Sequence, residues 1–126
     1  MRVGRTLTSP ERLAFDHVEE RTLQRAVVVC IPWLPGTFAG LTLDRFILLA
    51  RPQRADGSST LLAHELVHVE QWDDRGMIGF AKWYVANFVR EYRHRRKWMA
   101  SYRALEAEVD ARARTRDWWN RHDESA

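Results

Sequence analysis

The sequence predicts a single α+β domain in which a small antiparallel sheet packs on three or four helices. Three observations carry this: an early helical stretch, a central pair of β-branched and apolar runs split by turn residues, and a long helix-patterned remainder with no further strand signal. At 126 residues the chain can build one core and is too short for two. The domain is therefore taken as 1–126, with frayed ends expected over 1–8 and 120–126.

Ser9-Pro10-Glu11 reads as a helix start, with Ser9 as N-cap and Pro10 at the first helical position. That helix is expected to reach about Arg25 and to bury Leu13, Phe15 and Val18. Ala26 to Ile31 reads as a strand. Pro32, Pro35 and Gly36 punctuate a loop, and Thr42 to Leu49 reads as a second strand, pairing antiparallel with the first in a long hairpin. Arg51 to Ser59, with Pro52 and Gly57, is a loop. Three helical stretches follow: Thr60 to Arg75, capped by Ser58 or Ser59 and ended by Gly76; a second from Met77; and a third within Ser101 to Trp119. The apolar run Met77 to Val89 is expected to be a core helix between the other two.

Composition sets limits on function. A formal net charge of +3 favours acidic partners without requiring them. The single cysteine, Cys30, allows no internal disulfide. No apolar run follows the arginines of Met1-Arg2-Val3-Gly4-Arg5, so no secretory signal is expected. Nor does any stretch reach the roughly 20 apolar residues of a membrane span. The expectation is a cytoplasmic protein of unknown oligomeric state.

The chemistry lies in His64-Glu65-Leu66-Val67-His68. Residues four apart share a helix face, so His64 and His68 can place two imidazole nitrogens on one ion. Glu65, turned about 100° from His64, sits beside the ion, where a general base takes a proton from zinc-bound water. Leu62, Leu66 and Val69 give the helix an apolar side away from the histidines, which a surface helix with two unrelated histidines would lack. A catalytic zinc needs a third protein ligand. If the later helices pair antiparallel, helical rise of about 1.5 Å per residue returns Glu106, Glu108 and Asp110 to the depth of the histidines without choosing among them.

Ala63-His64-Glu65-Leu66-Val67-His68-Val69-Glu70-Gln71-Trp72 resembles the active-site helix of gluzincin zinc metallopeptidases. Tyr102 to Ala111 is similar to their second motif, a glutamate followed three residues later by alanine. In CAAX-type membrane zinc proteases and compact soluble minigluzincins that glutamate is the third ligand, and Glu108, three before Ala111, matches it. The resemblance spans about residues 26–118 and implies a zincin-like domain holding one Zn²⁺ through His64, His68 and Glu108, with Glu65 as the base. It also implies a peptide or protein substrate, extended along the Thr42–Leu49 edge. Where many of these families carry an aspartate four residues after the ligand glutamate, this chain has Arg112, with Asp110 nearby.

An oxyanion donor is also needed for peptide hydrolysis. Tyr102 is the first candidate, with Tyr92, His94 and Arg103 as alternatives. The basic run Arg90, Arg93, Arg95, Arg96 and Lys97 reads as a solvated helix end rather than a nucleic-acid site, since no nucleic-acid module accompanies it. His17, His94 and His122 read as surface histidines. The leading expectation is a zinc metallopeptidase. The alternatives are a metal-binding module without peptidase activity and a nucleic-acid or anionic-surface binder working through residues 90–97.

Overall fold

The computed structural model describes residues 4–32, 34 and 38–124; Pro35 and Gly36 of the expected loop lie outside them. Its first helical segment is broken where the sequence reads as continuous. Helix α1 (Ser9–Ala14) is capped by Thr8, not Ser9. Thr8 Oγ1 accepts from the Glu11 amide at 3.3 Å and Glu11 Oε1 accepts from the Thr8 amide at 2.9 Å, a closed capping box. Glu11 is fully buried and also accepts from both terminal nitrogens of Arg5, at 2.7 and 3.1 Å. This anchors the helix to strand β1 (Gly4–Thr6). Phe15 then leaves the helix, with φ −85° and ψ 66°, so that its ring packs 5.3 Å from that of Trp118. The chain resumes as α2 (Glu20–Arg25). Phe15 and Val18 are buried as expected, but Leu13 is 82% exposed.

The sheet corrects the expected antiparallel hairpin. Strand β2 (Val27–Cys30) forms as read, but Thr42–Leu49 folds back on itself. It yields β3 (Gly40–Leu43) and β4 (Phe46–Leu49), joined at Asp44-Arg45. Asp44 takes φ 55°, a left-handed turn conformation that aspartate tolerates. This extra reversal brings β4 alongside β2 in parallel, Val27 opposite Phe46 through Cys30 opposite Leu49. Strands β3 and β4 are antiparallel, as are β1 and β2, giving a mixed sheet of order β1-β2-β4-β3. Two further expectations change with it. Strand β1 lies in the segment expected to fray, and the open edge beside the later helices is β3 alone.

Helix α3 (Thr60–Arg95) begins where Ser59 Oγ accepts from the Leu62 amide at 3.1 Å. It bends at Gly76, whose φ of 73° and ψ of 167° belong to a region open essentially to glycine. Trp72 and Phe80 stack across the bend at 4.0 Å, and Arg75 lies 3.5 Å over the Trp83 ring. The first arm, 60–75, joins Leu62, Leu66, Val67 and Val69 to Val28, Ile47 and Leu49 of the sheet in one core. The second arm, 77–95, is not the core helix expected of Met77–Val89. It buries Phe80 and Asn87 but leaves Met77, Ile78 and Val85 largely exposed.

Arg96, at φ 54°, ends α3 and leads into α4 (Trp98–Ala104). Buried Leu105 then separates α4 from α5 (Glu106–Glu124). The single helix expected within Ser101–Trp119 is thus two, and α5 is helical through 120–124, where fraying is expected. His17 is not a surface residue: it is part-buried, its Nε2 lies 2.8 Å from the Ala63 carbonyl, and its ring packs on Trp118. Among the described residues the domain is α+β, with four strands and five helices.

Gly57 shows how tightly the loop before α3 is held. It has φ +89°, and a Cβ there would lie 2.4 Å from Ala14 Cβ and 3.0 Å from the Pro10 carbonyl oxygen. Backbone strain of about 1–2 kcal/mol and overpacking of about 1–3 kcal/mol add at this position. Gly57→Ala is therefore expected to lower stability by roughly 2–5 kcal/mol, read as a reduced urea midpoint. A midpoint within error of wild type would show that the loop is not so constrained.

Candidate metal centre

His64 and His68 leave the first arm of α3 one helical turn apart, with ring centroids 5.0 Å apart. From α5, Glu108 reaches between them. Its Oε1 lies 3.2 Å from His64 Nε2 and its Oε2 lies 2.9 Å from His68 Nε2. One ligand atom from each of the three residues falls within 4.8 Å of the others. Zinc with arms of about 2.0–2.2 Å in tetrahedral array separates its donors by roughly 3.3 Å, so small rotamer changes would seat it. His68 Nε2 is buried and makes no well-aligned hydrogen bond despite its closeness to Glu108. A buried ring nitrogen facing a carboxylate, with a second imidazole beside it, is a donor arrangement a metal can use.

The electrostatics agree. Burial alone would raise the Glu108 carboxyl, but its contacts with His64 and His68 outweigh that and hold it well below the usual carboxylate range. Burial alone would lower His68, yet Glu108, the charge of Glu65 and the contact with Gln71 lift it to about 9. The three side chains form a place for positive charge, and a divalent ion would compete there with a proton.

A glutamine on the same helix orients this set. Gln71 Nε2 donates to the Ala107 carbonyl at 3.1 Å and to Asp110 Oδ2 at 3.0 Å. With both amide hydrogens engaged, Gln71 Oε1 must face His68 Nδ1, 2.8 Å away, and accept its proton. That fixes Nε2 as the nitrogen facing Glu108. Asp110 is thus two contacts removed from the cluster rather than a ligand. Glu106 points elsewhere, accepting from Trp83 Nε1 at 3.2 Å and Arg90 Nη2 at 3.1 Å. Of the three acids that helical rise left open, only Glu108 meets the histidines.

Glu65 is buried and held by the sheet. Thr42 Oγ1 donates to Glu65 Oε1 at 2.8 Å, and Gly40 packs so closely that an added Cβ would lie 3.3 Å from Glu65 Cγ. Neither contact has a local sequence signal. Gln71, three residues after His68 on the same helix, does. Glu65 and Tyr102 line both cavities that meet at the cluster. One is an open cleft of about 620 Å³ that also takes in His64 and Glu108; the other is a narrower, largely apolar pocket of about 270 Å³ that includes His68, Trp72 and Phe80.

Burial, chiefly, with the charges of Glu108, Tyr84 and Glu65, raises the Tyr102 phenol well above its ordinary value, so it stays a proton donor. Tyr84, absent from the sequence candidates, lines the apolar pocket and is raised by burial and the same two carboxylates. Arg103 borders the cleft. Tyr92 instead stacks on Phe88, and His94 is exposed near the far end of α3. Comparison with protein-family models, curated proteins and solved structures returns no match for the chain.

Glu108→Ala is expected to abolish tight metal binding, while Glu106→Ala leaves it near wild type. Gln71→Leu frees the His68 ring and should weaken affinity by roughly 10–100-fold. Competition titration with a chromogenic chelator reads all three. A Glu106 variant as impaired as the Glu108 variant would refute the ligand set.

Proposed function

We propose that this chain is a zinc-dependent metallopeptidase that binds one Zn²⁺ through His64, His68 and Glu108 and uses Glu65 as its general base. The observation that carries the reading is the convergence of these three donors beside a buried carboxylate that is not among them. Two imidazoles and a carboxylate also suit iron(II). The anchored Glu65 favours zinc, because hydrolysis requires a base next to the ion. The gluzincin resemblance of the two helix motifs points the same way.

Bound zinc would supply Lewis-acid polarisation of the substrate carbonyl and a lowered pKa for water. The chain's own residues then divide the work. Glu65, oriented by Thr42, accepts a proton from the attacking water and returns it to the leaving amine. The Tyr102 phenol is the candidate donor to the oxyanion. Strand β3 is an edge of the sheet, and its residues border both cavities: Gly40 the cleft, Leu41, Thr42 and Leu43 the pocket. An extended peptide could add there as a further strand. No helix among the described residues is long and apolar enough to cross a membrane.

The competing reading is a metal-binding module without peptidase activity. Purified protein is expected to contain about one zinc per chain by elemental analysis and to lose thermal stability on chelation. Glu65→Gln keeps the side chain's size but cannot accept a proton. It should bind zinc normally and lose cleavage of a peptide library by at least about 10²–10⁴-fold. Equal cleavage by wild type and variant would remove Glu65 from the mechanism. Zinc binding by both with cleavage by neither would leave the metal module.

A further inference from the structure

The wall of the large cleft opposite the sheet is basic. Along α5 the cleft is lined by Glu108, Arg112, Thr115, Arg116 and Trp119, one helical stripe, and Arg103 joins it from α4. Helical rise puts the backbone of Arg112 about 6 Å and that of Arg116 about 12 Å from Glu108. Among the described residues, neither Arg103 nor Arg112 has a carboxylate within 4.0 Å. Arg116 has only its exposed neighbour Asp117, at the 4.0 Å limit. Arg112 is not adrift: its Nη2 donates to the Arg103 carbonyl at 2.7 Å, which ties its guanidinium to the end of α4 and leaves other N–H groups free. A divalent ion at the centre would be balanced by Glu65 and Glu108, leaving the three arginines as uncompensated positive charge on the cleft wall.

We propose that Arg103, Arg112 and Arg116 form a carboxylate-binding subsite that selects peptides carrying a carboxylate within about three residues of the bond to be cut. The inference rests on the metallopeptidase reading for the position of that bond. An extended chain advances about 3.3–3.6 Å per residue, so one to two residues span the rise from Glu108 to Arg112, and three to four reach Arg116. Guanidinium groups suit this role because their fork of donors matches a carboxylate in two-pronged, charge-assisted contact. The position that holds aspartate in the gluzincin pattern holds a cation here, and Asp110, through Gln71, meets the need for a carboxylate behind the ligands. The carboxylate could come from an acidic side chain or a free C terminus; both present the same group.

The test uses the full chain carrying Glu65→Gln, reconstituted with zinc. Four matched hexapeptides, with glutamate or glutamine near the centre and a free or amidated C terminus, are titrated in by calorimetry. Peptides with a carboxylate should bind roughly tenfold or more tightly than the neutral, amidated one. Arg112→Gln or Arg116→Gln should erase that preference while leaving the neutral peptide's affinity and the zinc content unchanged. Whether the glutamate or the free terminus carries the gain identifies the source. Equal affinity across the set, no binding of the acidic peptides, or a preference that survives both arginine variants would overturn the subsite. Selection of acidic peptides by metal-free protein that takes up no zinc would keep the subsite and remove the metallopeptidase reading. Zinc uptake with indifference to charge would do the reverse.

Discussion

From Leu62 to Gln71, every residue of α3 except His64 is buried, although the segment carries Glu65, His68, Glu70 and Gln71, and Asp73 follows with its side chain also buried. A helix enclosed on all sides cannot leave such groups unpaired, because each unsatisfied one costs about 1–3 kcal/mol or more. The surrounding elements supply the partners. Thr42 of β3 holds Glu65. The Glu19 amide and Arg114 hold Glu70, both at 2.7 Å. Thr22 and Arg25 of α2 hold Asp73, and Ala107 and Asp110 of α5 hold Gln71. Sheet, α2 and α5 are each keyed to polar residues of the same helix, α5 to Glu70 and Gln71 both. The placement of Glu108 between the histidines is the result of that keying, since α5 is registered on α3 by the Gln71 contacts one turn away.

Signals confined to a few neighbouring residues were legible in the sequence. The four-residue spacing of His64 and His68, the Ser59 cap and the break at Gly76 all stand in the structure, because caps and helix faces are local physics. Thr8 and Glu11 were equally readable as a capping box, but Ser9-Pro10 offered a competing start. The hidden features depend on tertiary contacts. Asp44 is the single turn-tolerant residue there; no glycine or proline interrupts Thr42 to Leu49, so a tight hairpin reads as one long strand. That single missed reversal also inverted the direction of β4 relative to β2. Phe15 ends α1 because its ring finds Trp118, more than a hundred residues away.

Arg112 stands four residues after Glu108, and the orientation of His68 does not depend on it. A carboxylate behind a ligating histidine fixes its tautomer. Here an amide stands between them: Asp110 orients Gln71, and Gln71 orients His68. An amide is a suitable intermediary because its two ends differ, so engaging the nitrogen dictates what the oxygen can do. The residue four after Glu108 is thereby free for another role, and it lines the cleft.

The open edge at β3 has a further consequence, for the protein's relations with itself. A strand with one unpaired side offers its amides and carbonyls to any extended chain, and a second copy presents the same edge in the same register. Leu43 is 52% and Phe46 40% exposed at the end of this hairpin, which adds an apolar inducement. The tip between them carries Asp44 and Arg45, with the Arg45 guanidinium 5.2 Å from the Phe46 ring centroid. Charges at that corner would meet their own kind when two edges approach in parallel alignment, and the uncharged Ala39-Gly40 end when the alignment is reversed. Self-pairing along this edge would therefore have to bring the Asp44-Arg45 tip of each copy against the other chain.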